Sequence, residues 1–343
     1  MSARINQRKL DFRISSLAGR DTGDETMKAI IQDRYGGPEH LWLADIPVPE
    51  PRKAQIRVRV LACAVNLSDW EYLIGAPFYA RLVGGLLRPK HPVLGSDIVG
   101  IVDKLGPGTT GFSVGDRVMG DLVMRRGGFA QYACVSAAEM VLVPEGLSDE
   151  IAACLPQAGG IAVAGTAGLE PGDAFLINGA GGGSGTMALQ LAKAAGAHVT
   201  AVDNAGKTDW LMSLGANEVI DYRKQDFSRS GKQWDRILDM VATRRAGEIA
   251  RALRSGGTYR AVGGDVSVLL PLLLGGLRFR LRKKSIGMLM VPSGRKLTER
   301  VAKMAVEGKI APHLEAVLPL SSVPEALRRT GLGDVKGKLV IKP

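Results

Sequence analysis

The stretch Asp173-Ala174-Phe175-Leu176-Ile177-Asn178-Gly179-Ala180-Gly181-Gly182-Gly183-Ser184-Gly185 runs on into Thr186-Met187-Ala188-Leu189-Gln190-Leu191-Ala192-Lys193, and its reading decides the fold. A short apolar strand feeds a glycine-dense turn, and the turn feeds a segment of strong helix formers. Glycines in such a turn let the backbone approach a pyrophosphate, and the helix behind it offers free N–H groups and the positive end of its dipole. Gly182 and Gly185 fit the third and sixth positions of G-x-G-x-x-G, with Ala180 in place of the first glycine. The turn alone would also suit a plain tight loop. The wider context favours a dinucleotide. A second strand, His198-Val199-Thr200-Ala201-Val202, ends in Asp203 about twenty residues downstream, where an acid can hold a ribose diol. The candidate cofactor contacts from this stretch are Ala180, Gly181, Gly182, Gly183, Ser184, Gly185 and Asp203.

Outward from this turn, the text after Pro144 alternates strands and helices. Strand candidates lie at 174–178, 198–202, 218–221, 235–239, 258–262 and 285–290, with helices at 186–195 and 207–214 between them. Repeated βα units with helices on both faces make a doubly wound parallel sheet. Before Pro144 the pattern is different. Short β-rich runs at 27–31, 56–60, 98–102, 117–119 and 130–135 are separated by Gly and Pro, as in a partly closed β domain. An amphipathic helix at 295–307 and strand-like ends at 314–317 and 337–341 are expected to return to that domain and make it discontinuous.

The chain has 343 residues, enough for two domains, with 45% hydrophobic and 23% charged residues, as in ordinary globular proteins. Its net charge of +11 attracts polyanions, but no helix-turn-helix, zinc-finger or aromatic RNA-binding signature accompanies it, so no specific nucleic acid is expected. The three cysteines, Cys63, Cys134 and Cys154, show no C-x-x-C pairing, which argues against a disulfide framework and implies a reducing, cytoplasmic setting. The apolar run 266–277 is broken by Pro271 and too short to span a bilayer. With the basic run 278–284 behind it, it reads either as a peripheral membrane contact or as a core helix with a solvated basic end. Residues 1–26 are polar and without hydrophobic periodicity, and read as a disordered tail.

Several further motifs carry a family resemblance over residues 27–343. They are Tyr35-Gly36-Gly37-Pro38, Ala64-Val65-Asn66-Leu67-Ser68-Asp69, Pro92-Val93-Leu94-Gly95-Ser96-Asp97-Ile98-Val99-Gly100, Gly115-Asp116-Arg117-Val118, Leu214-Gly215-Ala216-Asn217-Glu218-Val219-Ile220-Asp221-Tyr222, and the Gly337-Lys338 ending. With the phosphate turn, they make the chain resemble the medium-chain dehydrogenase/reductase superfamily in its quinone-oxidoreductase-like branch. The resemblance implies a discontinuous GroES-like β-barrel domain over 27–148 and 291–343, and a Rossmann domain over 149–290. It also implies a homodimer, with strand 285–290 as the edge that pairs with its copy.

Zinc-dependent relatives carry cysteine where this chain resembles them at Asn66, and Gly-His-Glu where it has Gly95-Ser96-Asp97. Neither Asn nor Ser is a competent zinc ligand, and no His or Cys occupies 155–165, so no zinc is expected. Asp97 reads as a loop-fixing acceptor. Without a metal, the resemblance implies hydride transfer to a quinone or enone, with a donor to stabilise the developing oxyanion. Candidate catalytic residues are Asn66, Ser68 and Tyr72; fixing the loop backbone is an equal alternative for Asn66 and Asp69. Trp70, Phe78 and Tyr79 could line a pocket for a planar ring or pack in the core. An enoyl-thioester reductase and a nucleotide-binding scaffold with little turnover are the rival readings.

The cofactor cues conflict. Asp203 favours NAD, whereas Lys207 stands where NADP-using relatives hold a lysine to the 2′-phosphate, and both cofactors stay open. Tyr222 and the pair Gly263 and Gly264, after the strand at 258–262, complete the candidate contacts.

Overall fold

The computed structural model describes residues 25–264, 283–292 and 294–343. Residues 1–24 of the tail expected over 1–26, and the apolar run 266–277 with most of its basic extension, lie outside the described residues; Thr26 belongs instead to the first strand, Thr26–Gln32.

The β-rich half folds as a seven-stranded sheet. Its order runs Leu314–Pro319, Lys338–Lys342, Gln55–Ala64, Asp97–Leu105, Arg117–Asp121 and Met140–Leu142, with Tyr132–Ser136 paired off the path to Gln55–Ala64. The last strands of the chain thus sit beside the third, and the domain is discontinuous. A hairpin of Thr26–Gln32 and Leu41–Pro47 packs against it. Alternation sets the register: in Gln55–Ala64 the residues Ile56, Val58, Val60 and Ala62 are buried while Arg59 faces out.

The second half is a six-stranded parallel sheet in the order Glu218–Asp221, His198–Asp203, Ala174–Asn178, Trp234–Asp239, Leu253–Ala261, Ser285–Met288. Strand order reverses between Ala174–Asn178 and Trp234–Asp239, the place where doubly wound sheets open a ligand crevice. At that point Asn178 Nδ2 donates to Asp239 Oδ1 at 2.7 Å and Tyr259 Oη donates to Asp239 Oδ2 at 3.0 Å. Ser285–Met288 is an edge strand among the described residues, and Lys284 just before it donates to Ala250 O and Leu253 O at 2.6 and 2.7 Å, closing the end of the helix Ala246–Ala252.

One apolar cluster joins the two halves. Ala62, Ala64, Val99 and Val340 of the antiparallel sheet share it with Ala158 and Ala162 of the helix Pro156–Gly165 and with Phe175 and Ile177 of the parallel sheet. A second cluster around Leu176, Phe227, Trp234 and Tyr259 covers the other face of the parallel sheet. Both faces are therefore buried, which explains why its strands read as continuous apolar runs rather than alternating ones.

Candidate functional site

The turn at 179–185 joins the strand Ala174–Asn178 to the helix Gly183–Ala194, with Gly182 as its N-cap. Three glycines act differently. A Cβ on Gly185 would land on the carbonyl oxygens of Gly179 and Ala180, and one on Gly181 would meet Lys207 Cδ at 2.5 Å and Asp203 Oδ2 at 2.8 Å. A Cβ on Gly182 would meet only Gly179 O, at 3.6 Å. Gly181 and Gly185 let the turn close on its own sheet, while among the described residues no side chain lies over Gly182, whose backbone bridges to Gly337. A bare backbone face at a helix N-terminus suits an approaching pyrophosphate, so the residues present fit a dinucleotide.

Asp203 ends its strand with its carboxylate against this turn. Its Oδ2 accepts from Gly181 N–H at 2.7 Å, and its Oδ1 accepts from Asn204 N–H at 2.9 Å. Lys207 Nζ lies 3.2 Å from Asp203 Oδ1 and donates to Gly333 O at 2.9 Å. Both side chains are buried. The acid read as the ribose acceptor is also the brace of the phosphate turn, and the lysine read as the phosphate contact is its ion-pair partner. Tyr222 is exposed and carries Arg223 over its ring, while Gly263 approaches Tyr79 Oη. Gly264 follows in a left-handed conformation, φ +117°.

The strand Lys338–Lys342 connects this turn to the first half of the chain. Gly337 N–H donates to Gly181 O at 2.9 Å, and Lys338 Nζ then reaches Val65 O at 2.8 Å and Asn66 Oδ1 at 2.5 Å. Asn66 caps the helix Leu67–Ile74, where Asp69 accepts from Asn66 N–H at 2.9 Å. The other end of the Asn66 amide donates to Ser96 Oγ at 3.0 Å. Ser68 Oγ donates to Gln157 Oε1 at 3.0 Å, and Gln157 N–H donates to Asp97 at 3.3 Å. Asp97 stands opposite Asp121 in the sheet register.

This cluster is polar and buried. Burial pushes the Asp97 carboxyl well above the usual carboxylate range, reinforced by the neighbouring Asp121 and opposed by Lys338. Burial likewise raises Asp121, and it pushes Asp69 up to about 6 against the pull of the Asn66 N–H. Among the described residues no group of three or more His, Cys, Asp or Glu is arranged to hold a metal ion.

The structure thus brings Asn66 and Ser68 together with Ser96, Asp97, Gln157 and Lys338, and the phosphate turn meets them through Gly337. Tyr72, on the same helix, packs in the antiparallel core under the Arg126 guanidinium. Trp70 packs against Gly331 of the helix Val323–Gly331, Phe78 is exposed, and Tyr79 Oη donates to Glu71 at 2.9 Å. Sequence reading did not single out Lys338, Gln157, Asp121 or Arg126. Lys338 had a signal, since it follows Gly337 in a family-like motif; the other three had none.

Comparison with known proteins bears on this geometry. Residues 52–145 match the family described as alcohol dehydrogenase GroES-like domain, and residues 214–341 match the family described as zinc-binding dehydrogenase. The chloroplastic quinone-oxidoreductase QR1 of Triphysaria versicolor is 30% identical, over 92% of this chain and 98% of that protein. The acryloyl-coenzyme A reductase of Sulfurisphaera tokodaii is 29% identical, over 92% of this chain and 100% of its own length. Among solved structures, the quinone oxidoreductase from Coxiella burnetii superposes with a TM-score of 0.81 at 29% identity, covering 93% of this chain and all of that one.

Proposed function

The chain belongs to the medium-chain dehydrogenase/reductase superfamily, in its quinone-oxidoreductase-like branch, and from that premise we propose that it is a zinc-independent NAD(P)H-dependent reductase of a quinone or α,β-unsaturated carbonyl. The observation that carries the reading is the contact set at Asn66. The Asn66 amide and the Ser96 hydroxyl bond each other at the positions where zinc-dependent relatives hold ligands, and the Lys338 ammonium bonds the same amide from its oxygen end. Amide and hydroxyl oxygens are poor zinc ligands beside thiolate and imidazole, and an ammonium in the same place repels a second cation.

Reactions that need no Lewis acid fit such a site. When bound, the reduced nicotinamide supplies a hydride. The acceptor takes it at an electron-poor carbon, negative charge develops on the acceptor oxygen, and one proton is taken up to complete the reduction. The Asn66 amide has a second N–H beyond the one given to Ser96; it faces the Asp97 carboxyl, and exchanging that acceptor for the substrate oxygen would bring it to the developing charge. Ser68, fixed by Gln157, and Tyr72 are the hydroxyls nearest in sequence. Asp203 and Lys207 set the choice between NADH and NADPH from opposite sides of one ion pair. The relative named acryloyl-coenzyme A reductase supports a second reading, reduction of an enoyl thioester by the same hydride chemistry.

The test is oxidation of NADPH and of NADH by purified protein with 1,4-benzoquinone, but-3-en-2-one and a crotonyl thioester. Acceptor-dependent oxidation with the quinone or the enone is the expected result. No turnover with any of the three would overturn the enzyme reading and leave a nucleotide-binding scaffold.

A further inference from the structure

Arg126 is buried, 5% exposed, and its Nε, Nη1 and Nη2 have no hydrogen-bond partner among the described residues. A guanidinium stays charged at every physiological pH and carries five N–H donors. Taking it from water without partners is among the most costly arrangements a fold can keep. Asp69 and Asp121 attract it through space but neither accepts a hydrogen bond from it. Asp69 is engaged by the N–H groups of Asn66 and Gly95, and Asp121 by that of Val123.

Its surroundings concentrate the positive charge further. Lys90, Arg125 and Arg126 all push the His91 imidazole down, after burial as the first cause. The backbone is also held in an unfavourable place. Arg126 has φ +59°, a left-handed conformation that a side chain rarely adopts, and its N–H is fixed to Leu122 O at 2.6 Å. The loop that carries it lies directly on the candidate site: Leu122 N–H donates to Ser96 O at 2.7 Å and Gly128 N–H to Gly95 O at 3.0 Å. The guanidinium itself lies over the ring of Tyr72, on the helix that begins at Asn66. Met124, two residues earlier on the loop, is 59% exposed, so the loop forms part of the surface.

We infer that Arg126 recognises a planar oxyanion on the acceptor, a carboxylate conjugated to the reducible double bond, which makes the substrate class α,β-unsaturated carbonyl compounds that bear a carboxylate. The inference deepens the reductase reading and rests on it for the word substrate. A guanidinium fork matches a carboxylate by two parallel hydrogen bonds, and the pairing removes the cost of the unpartnered charge. A lysine keeps the charge but loses the fork.

Two arms test it. The first needs no turnover: calorimetric titration of the whole protein with benzoate and with the neutral benzamide. Wild type is expected to bind benzoate about tenfold or more tightly than benzamide, Arg126→Met to lose that preference, and Arg126→Lys to fall between them. Thermal melting of each variant checks folding, and if Arg126→Met does not fold, wild type and Arg126→Lys carry the comparison. The second arm measures kcat/KM for 4-oxopent-2-enoate and for its methyl ester, where Arg126→Met is expected to lower only the ratio of acid to ester. Equal binding of benzoate and benzamide by wild type, or an unchanged benzoate affinity in the folded variants, would overturn the inference. A benzoate preference without reduction of any acceptor would instead contradict the reductase reading alone.

Discussion

Single residues in the phosphate turn separate folding from binding. Gly182 has room for a side chain on its bare face, whereas Gly185 does not. Gly182→Val should therefore melt like the parent and lose cofactor affinity tenfold or more, about 1.4 kcal/mol, in a nucleotide titration. Gly185→Ala should instead lose about 1–3 kcal/mol of stability through overpacking against the turn's carbonyls. Equal nucleotide affinity in Gly182→Val and the parent would mean that phosphates do not lie over this turn. Asp203→Ser should raise the ratio of kcat/KM for NADPH over NADH and Lys207→Ala should lower it, because a 2′-phosphate is the only difference between the cofactors. The two side chains touch, so the double variant should depart from the product of the single effects. Ratios unchanged in both single variants would remove the pair from the ribose and leave Arg223 and Lys224, the cations just after the strand Glu218–Asp221, as the next residues to change.

At the scale of elements, the strand Ser285–Met288 is the last strand of the parallel sheet among the described residues, and we propose it as the dimer contact. A Cβ on Gly287 would meet nothing, so Gly287→Glu should leave the subunit folded while setting like charges across the two-fold axis. Sedimentation should shift from two copies to one, with nucleotide binding retained; an unshifted species would remove this edge from the interface. Elements were legible in the sequence where their boundaries are local. Ala174–Asn178 and Glu218–Asp221 fall where the apolar runs fall, because Gly or polar residues stop them. The helix after the turn starts at Gly183 rather than Thr186, since the turn geometry starts it and not helix propensity. Leu253–Ala261 begins five residues early: Leu253 pairs with Trp234, and Arg254-Ser255-Gly256-Gly257, which reads as a loop, forms an irregularity before Thr258 pairs with Arg236. The site was legible in its turn and in the 66–69 segment. Lys338 escaped because its partner Asn66 is 272 positions away, and Arg126 because its meaning lies in the partners it lacks.

Across the whole molecule, the buried carboxylates give stability a pH dependence of known sign. Asp69 has a folded pKa of about 6, above its unfolded value, and Asp97 and Asp121 move in the same direction. The folded state then holds protons that the unfolded chain has released, so their contribution is present at low pH and is lost as pH rises through about 6. Glu150, held down to about 2 by Lys342, acts oppositely and in a lower window. Denaturant midpoints should fall between about pH 4 and pH 6, and Asp69→Asn should flatten part of that fall; a wild-type midpoint that rises across this window would contradict the burial account. The same buried cluster, with an ammonium among an amide, a hydroxyl and paired carboxylates, supports the proposal that reduction here proceeds without a metal. The most direct test is acceptor-dependent NADPH or NADH oxidation by protein dialysed against a chelator, with zinc quantified in the same sample. The account predicts undiminished turnover at substoichiometric zinc; stoichiometric zinc, with turnover lost on chelation and restored on its return, would contradict it.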